Sequence, residues 1–282
     1  MKFYRYWTTT TRRGIDSEGE EVFRSAAGYS NRSLEDALKI ANQQADAFGD
    51  FWNDPDKIWR EGGAYYGIGN RPIREQIINE FSDGEDSYAV ISRNAYGCQV
   101  LNTENVFFAD VDMPSPGLAD KLFGWLKKKK PFEQTLIEKI SNIIDRDSRT
   151  CIRLYRTLKG YRIAIMDRLV DPEEAQSDSL LKELGSDKLY VSLCRSQDCY
   201  RARLTPKPWR CGSTRPPTQF PFVYRGAEER FQQWLVGYEK NSQQFATCAL
   251  VGEFGSKVKH PRAESVLKLH DQFVLNDDRP LA

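Results

Sequence analysis

The sequence predicts an α+β protein built on a βαββαβ core, a split βαβ arrangement. Three observations point there. Segments of strand period and of helical period follow one another in that order between residues 105 and 204. An apolar run, Val106-Phe107-Phe108-Ala109, ends in Asp110-Val111-Asp112 and then in the loop Met113-Pro114-Ser115-Pro116-Gly117. Two β-rich segments flank Thr157-Leu158-Lys159-Gly160, a tight-turn signal.

Residues 1–100 read as an N-terminal α/β module, 101–225 as the core, and 226–282 as a C-terminal extension packed on it. Residues 3–9 alternate aromatic and polar side chains, as a half-buried strand does. Ser33-Leu34-Glu35-Asp36 is an N-cap with a carboxylate near N3, opening a helix that runs to about Phe48. Asn53-Asp54-Pro55-Asp56, Gly62-Gly63 and Gly67-Ile68-Gly69 punctuate the chain; the last lacks phosphate-loop spacing and reads as a turn. Pro72 stands at the first turn of an expected helix reaching about Phe81. Residues 88–93 and 97–101 read as strands joined at Asn94-Ala95-Tyr96-Gly97.

In the core, a strand at 105–111 leads to helical segments at 117–128 and 131–146. Strands at 151–156 and 161–166 follow. A helix at about 172–184 is opened by Asp171-Pro172-Glu173-Glu174 and stopped by Gly185, and a strand at 200–204 is ended by Pro206 and Pro208. This order is that of ferredoxin-like and RRM-like cores. Right-handed crossovers would set the second strand parallel to the first, with the third antiparallel between them. One sheet edge then collects Asp110, Asp112, the Lys159-Gly160 turn with Arg162, and Asp187, while Asp167 falls at the opposite edge. From Gly226 onward come a helix at 227–240, an apolar strand at 246–251, a helix at about 261–270 and a frayed tail at 276–280.

Composition narrows the function classes. With 40% hydrophobic and 29% charged residues, the 282-residue chain is ordinary for a soluble globular protein. No apolar run approaches the ~20 residues that cross a bilayer. Met1 to Trp7 lacks the apolar core of a signal peptide, so a cytoplasmic location without a membrane partner is expected. Net charge is +1, so any phosphate-binding surface must be local. Arg195, Arg201, Arg203, Lys207, Arg210 and Arg215 cluster in a segment whose only acid is Asp198. The six cysteines suit buried reduced thiols, or a structural zinc at Cys194, Cys199 and Cys211 completed by Cys248 or His260.

Asp110 and Asp112, two apart on a strand, share a face. Like charges that close repel unless a cation sits between them, and such oxygen pairs suit Mg²⁺ or Mn²⁺ with substrate phosphates completing the shell. A simple strand end is the alternative. In the hairpin, a glycine can bring backbone amides near a ligand, and Arg156, Lys159 and Arg162 offer cations for phosphate or pair with acids. Arg201 and Arg203 share a strand face beside Lys207, with Tyr200 and Trp209 suited to base stacking; a protected edge strand would use the same residues. The run Lys127-Lys128-Lys129-Lys130 complements a helix C-terminus or touches nucleic acid. His260 and His270 lie far along the chain from these segments, and no Ser-His-Asp, Cys-His or HExxH arrangement is readable.

With these pieces in order, the chain resembles the archaeo-eukaryotic primase superfamily. That family has an RRM-like core with an hhhDhD strand end, a hairpin carrying an SxH-type motif, and a third acidic position before a basic strand. Phe107-Phe108-Ala109-Asp110-Val111-Asp112 matches the first motif. The second maps onto Tyr155 to Arg162, with Arg162 where the family's nucleotide-binding histidine stands, and the third onto Asp187 followed by Arg201 to Lys207. The resemblance covers roughly residues 88–210. It implies divalent metal ions (Mg²⁺ or Mn²⁺) at Asp110, Asp112 and Asp187, and nucleotide contacts from Arg156, Lys159, Arg162, Arg201, Arg203 and Lys207. It implies a primase-like nucleotidyltransferase. Because Arg cannot shuttle a proton at neutral pH, a weakened relative that binds nucleotide or single-stranded nucleic acid is equally implied. A sugar-nucleotide glycosyltransferase also ends an apolar strand in DxD, although the split βαβ order argues against it. Dehalogenase-like phosphatases follow DxD with Thr or Val rather than Met113-Pro114. A non-enzymatic nucleic-acid or protein interaction module remains the third class.

Overall fold

The structure, a computed structural model, describes residues 1–15, 18–46, 72–84, 86–114 and 131–282. It is a mixed α+β protein with ten strands in three antiparallel sheets and six α-helices among the described residues. The expected helix at 117–128, the lysine run at 127–130 and the glycine-rich turns at 62–69 lie outside them.

The N-terminal sheet is a hairpin, β1 (Tyr6–Ile15) with β2 (Glu21–Ser30), covered by α1 (Leu34–Asp46). Sequence analysis places the first strand three residues early and leaves β2 unassigned. Ser33 caps α1 as expected, its hydroxyl accepting from the Asp36 N–H at 3.1 Å. Ala37, Ala41 and Ala45 form the buried stripe of α1. Small residues let the helix come so close that a Cβ on Gly28 would lie 1.9 Å from the Ala37 carbonyl oxygen.

The second sheet runs β3 (Gln76–Asp83), β4 (Asp86–Arg93), β5 (Gln99–Thr103), β9 (Tyr200–Arg203). β4 and β5 are the expected hairpin. β3 corrects the helix expected after Pro72. Its pairing with β4 is interrupted between Ile77 and Asn79 and again between Phe81 and Ser82. The first irregularity inserts an extra residue, Ile78, in β3 and breaks its period-two alternation; the second inserts its extra residue, Tyr88, in β4.

The third sheet has the order β10-β7-β8-β6, built from β6 (Phe108–Asp112), β7 (Cys151–Thr157), β8 (Gly160–Ile165) and β10 (Cys248–Gly255). β8 is antiparallel to both β6 and β7, so the first two core strands are parallel with the third between them, as expected. Helices α2 (Phe132–Arg146) and α3 (Ala175–Leu184) follow β6 and β8; Gly185 ends α3 in the left-handed region at φ +86°. One helix was not expected: α4 (Lys188–Gln197), capped by Asp187. The last core strand also departs from expectation, because β9 hydrogen-bonds to β5 and runs beside β6 without a ladder between them.

Of the C-terminal elements, β10 extends the third sheet at β7 and α6 (Pro261–Val274) adds Ala263, Val266, Leu267 and Val274 to the same core, while α5 (Ala227–Ser242) packs Phe231, Leu235 and Tyr238 in a separate cluster with Cys211. The tail is docked rather than frayed. Ala246 donates to the Pro280 carbonyl, Ala282 donates to the Ala246 carbonyl, both at 3.0 Å, and Ala282 is buried.

Gly160 ties this sheet to the carboxylates. It stands opposite Asp112 in the β6–β8 ladder, and a Cβ there would lie 2.2 Å from the Val111 carbonyl oxygen and 3.0 Å from the Asp112 Cα. Gly160→Ala is expected to lose about 1–3 kcal/mol of stability, the cost of overpacking a rigid site. Urea denaturation should show a lower midpoint at an unchanged m-value.

Candidate functional site

Asp110 pairs with Arg162 in the β6–β8 register, and Asp112 pairs with Gly160. Directly opposed residues of an antiparallel ladder project to the same face, so Arg162 is delivered to Asp110 while Asp112 has no side chain across from it. Arg162 Nε donates to Asp110 Oδ1 at 2.9 Å. Asp112 makes neither hydrogen bond nor ion pair with any described residue. Asp187 arrives from the α3–α4 junction. Its backbone N–H donates to the Asp110 carbonyl at 3.2 Å, and its Oδ1 caps α4 by accepting from the Tyr190 N–H at 3.0 Å. Two carboxylates of one strand and a third that is distant in sequence thus stand at one corner.

Arg162 is fully buried. Burial opposes its charge, but Asp110 and its other neighbours outweigh that and its pKa is raised. Nη1 donates to the Arg203 carbonyl at 2.9 Å and lies 3.2 Å from His270 Nε2. A guanidinium only donates, so Nε2 must accept and the imidazole proton sits on Nδ1, 2.9 Å from Asp271 Oδ1. Tyr155 Oη donates to the same Asp271 oxygen at 2.8 Å and Arg153 to the other at 2.5 Å. Burial, reinforced by the Arg162 charge and opposed by Asp271, pulls His270 down to about 4, so it is neutral near pH 7.

Facing the acids, Arg203 of β9 and Lys207 and Arg210 of the following turn line a cleft of about 240 Å³ together with Lys159, Arg162 and Tyr190. Burial and the Arg203 charge lower the pKa values of Lys207 and Arg210, while Asp112 acts in the opposite sense on both. The cations are therefore crowded and incompletely compensated. Arg162 Nη2 and Arg203 Nη1 are buried without a hydrogen-bond partner among the described residues, a cost that this wall of the cleft carries. A larger hollow of about 380 Å³ lies elsewhere, but there Arg93 is already paired with Glu239 at 3.1 Å and no carboxylate cluster faces the cations.

Of the residues singled out from sequence, Asp110, Asp112, Asp187, Lys159, Arg162, Arg203 and Lys207 meet at this cleft. Two do not. Arg156 pairs with Glu133 of α2, and Arg201 turns to Glu75 and Gln197. Tyr200 is buried with its hydroxyl 2.7 Å from Ser177 Oγ and offers no stacking face. Cys194 belongs to the main core and Cys211 to a separate cluster with Phe231, Leu235 and Tyr238, while Cys199 is buried outside both; all six cysteines are free and buried. Among the described residues no three His, Cys, Asp or Glu side chains stand close enough to hold an ion by themselves. Sequence reasoning missed Tyr190 and His270 and placed Arg210 only in the basic cluster, without a role at the cleft. His270 lies 108 residues from Arg162 and gave no local signal. No family model matches the chain, and neither a curated protein nor a solved structure does.

Replacing Arg162 by Met should cost about 1–3 kcal/mol, because buried His270 Nε2 and the Arg203 carbonyl lose their donor; chemical denaturation measures it. Acid stability should follow His270. Its folded pKa lies below the unfolded value of 6.5, so the unfolded chain takes up a proton first as pH falls. The contribution is complete above about pH 6.5 and is lost down to about pH 4, amounting to ~3 kcal/mol. Urea midpoints near pH 7.5 and near pH 4.5 should therefore differ less in His270→Asn than in the parent chain.

Proposed function

We propose that the cleft binds a nucleoside triphosphate together with Mg²⁺ or Mn²⁺, in a divergent primase-like nucleotidyltransferase or a catalytically weakened relative. One observation carries the reading: Asp112, whose carboxylate has no partner among the described residues, stands across the cleft from Arg203, Lys207 and Arg210, which crowd one another. Mg²⁺ is held characteristically by one or two carboxylates with substrate phosphates supplying other ligands. Asp112 and the oxygen of Asp110 not taken by Arg162 fit that role, and Asp187 stands beside them. A bound ion would neutralise charge on the phosphate oxygens.

The chain's own groups have distinct tasks in this reading. Arg203, Lys207 and Arg210 hold the polyphosphate. Arg162 orients Asp110 but exchanges no proton at neutral pH, which favours the weakened relative over an efficient polymerase. The β7-β8-β6 order supports a split βαβ ancestry, with β9 standing beside β6 where a fourth strand belongs, though paired to β5.

Calorimetry with Mn²⁺ and a panel of nucleoside triphosphates and sugar nucleotides tests the proposal. Metal-dependent triphosphate binding is expected, abolished in Asp112→Ala and weakened about 10- to 100-fold in Lys207→Ala, the range of a charge-assisted hydrogen bond. Binding of sugar nucleotides without triphosphates would turn the reading toward a diphosphate-dependent transferase, and silence across the panel would end it.

A further inference from the structure

We infer that the surface beside the cleft, formed by Trp209, Tyr96 and Arg215, binds an unpaired stretch of nucleic acid by stacking its bases. Trp209 lies in a 3-10 turn, Pro208–Arg210, whose next residue Cys211 is sunk in the cluster of Phe231, Leu235 and Tyr238. The turn is anchored while the indole stays 46% exposed. Tyr96, 38% exposed, comes from the β4–β5 turn and meets Trp209 edge to face, with centroids 5.3 Å apart at 88°. That turn is held close as well: Gly97 has φ +81°, and a Cβ on it would lie 2.4 Å from the Trp234 ring.

Cations surround these rings. The Arg215 guanidinium is 5.3 Å from the Trp209 centroid and 5.8 Å from that of Tyr96, and Lys207 Nζ is 5.6 Å from Trp209. From Cys199 to Ala227 the chain contains Arg201, Arg203, Lys207, Arg210, Arg215 and Arg225 and no acidic residue. Glu75 takes Arg201, but Lys207, Arg210 and Arg215 form no ion pair among the described residues; rigid, half-exposed aromatic faces amid such charge match a polyanion that carries flat apolar groups. A duplex hides its base faces, so the complementary partner is single-stranded. Lys207 and Arg210 belong to this ledge and to the cleft, so a strand stacked on Trp209 passes its backbone toward Asp112. Stacking on the ledge requires no metal or triphosphate, so it stands or falls apart from the function proposed above.

The test is fluorescence anisotropy of a labelled dT strand of about 12 nucleotides, an abasic strand of equal length and a duplex, in EDTA without nucleotide. The dT strand should bind most tightly. Trp209→Ala should weaken it about 5- to 150-fold, with Trp209→Phe restoring most of the loss. Arg215→Ala should weaken dT and abasic strands alike and lower the salt slope by about 1. Equal affinity for dT and abasic strands would reduce the ledge to a general polyanion surface and overturn the inference, as would duplex preference. So would unchanged dT binding in a folded Trp209→Ala chain; if that chain does not fold, the abasic comparison with the parent protein decides alone.

Discussion

A buried guanidinium bound to a half-exposed carboxylate organises this molecule. Arg162 is as deep as any side chain in the core, yet it carries a full charge, and that combination is tolerated only where the charge is answered on several sides. Asp110 answers it from β6, the Arg203 carbonyl from β9, and His270 from α6. Each partner comes from a different element, so the requirement to satisfy one side chain brings the end of β6, the end of β9 and the C-terminal helix to a common point. His270 must stay neutral to serve, and Asp271, Tyr155 and Arg153 hold its tautomer from behind.

The same pair divides the cleft electrically. Asp110 is drawn toward the interior and partly neutralised, whereas Asp112, two residues on and opposite a glycine, keeps its carboxylate clear. Positive charge is concentrated on the other wall, on β9 and the turn after it. A ligand with phosphate at one end and a metal-binding oxygen at the other matches this polarity in one orientation only, and such directional complementarity fixes register more than it adds affinity.

Much of the corner was legible because it rests on short-range rules. Period-two geometry puts Asp110 beside Asp112, the glycine turn places Lys159, and the β6–β8–β7 arrangement follows from connection handedness. Legibility failed where a distant partner decides. Arg156 and Arg201 have the right residue type and the right strand face, but Glu133 and Glu75 claim them, the second from 126 residues away. β3 was hidden by its bulge, and the docking of the tail depends on Ala246, which nothing near residue 280 announces. Asp187 was placed correctly at the corner, though its second task, opening α4, was not foreseen.

Tyr190 gives the seam between β6 and β9 its character. Its hydroxyl donates to the Phe108 carbonyl at 2.8 Å, lies 3.1 Å from the Arg201 carbonyl and accepts from the Arg201 N–H at 3.3 Å, so one phenol stands in for a missing ladder. Neighbouring strands elsewhere in both sheets are stitched by rows of backbone bonds that resist shear. Among the described residues, β6 and β9 are joined by side chains, Tyr190 and Arg162, and by the one apolar core that residues of both sheets share. The spacing of the two cleft walls is therefore set by close-packed side chains rather than by a backbone hem.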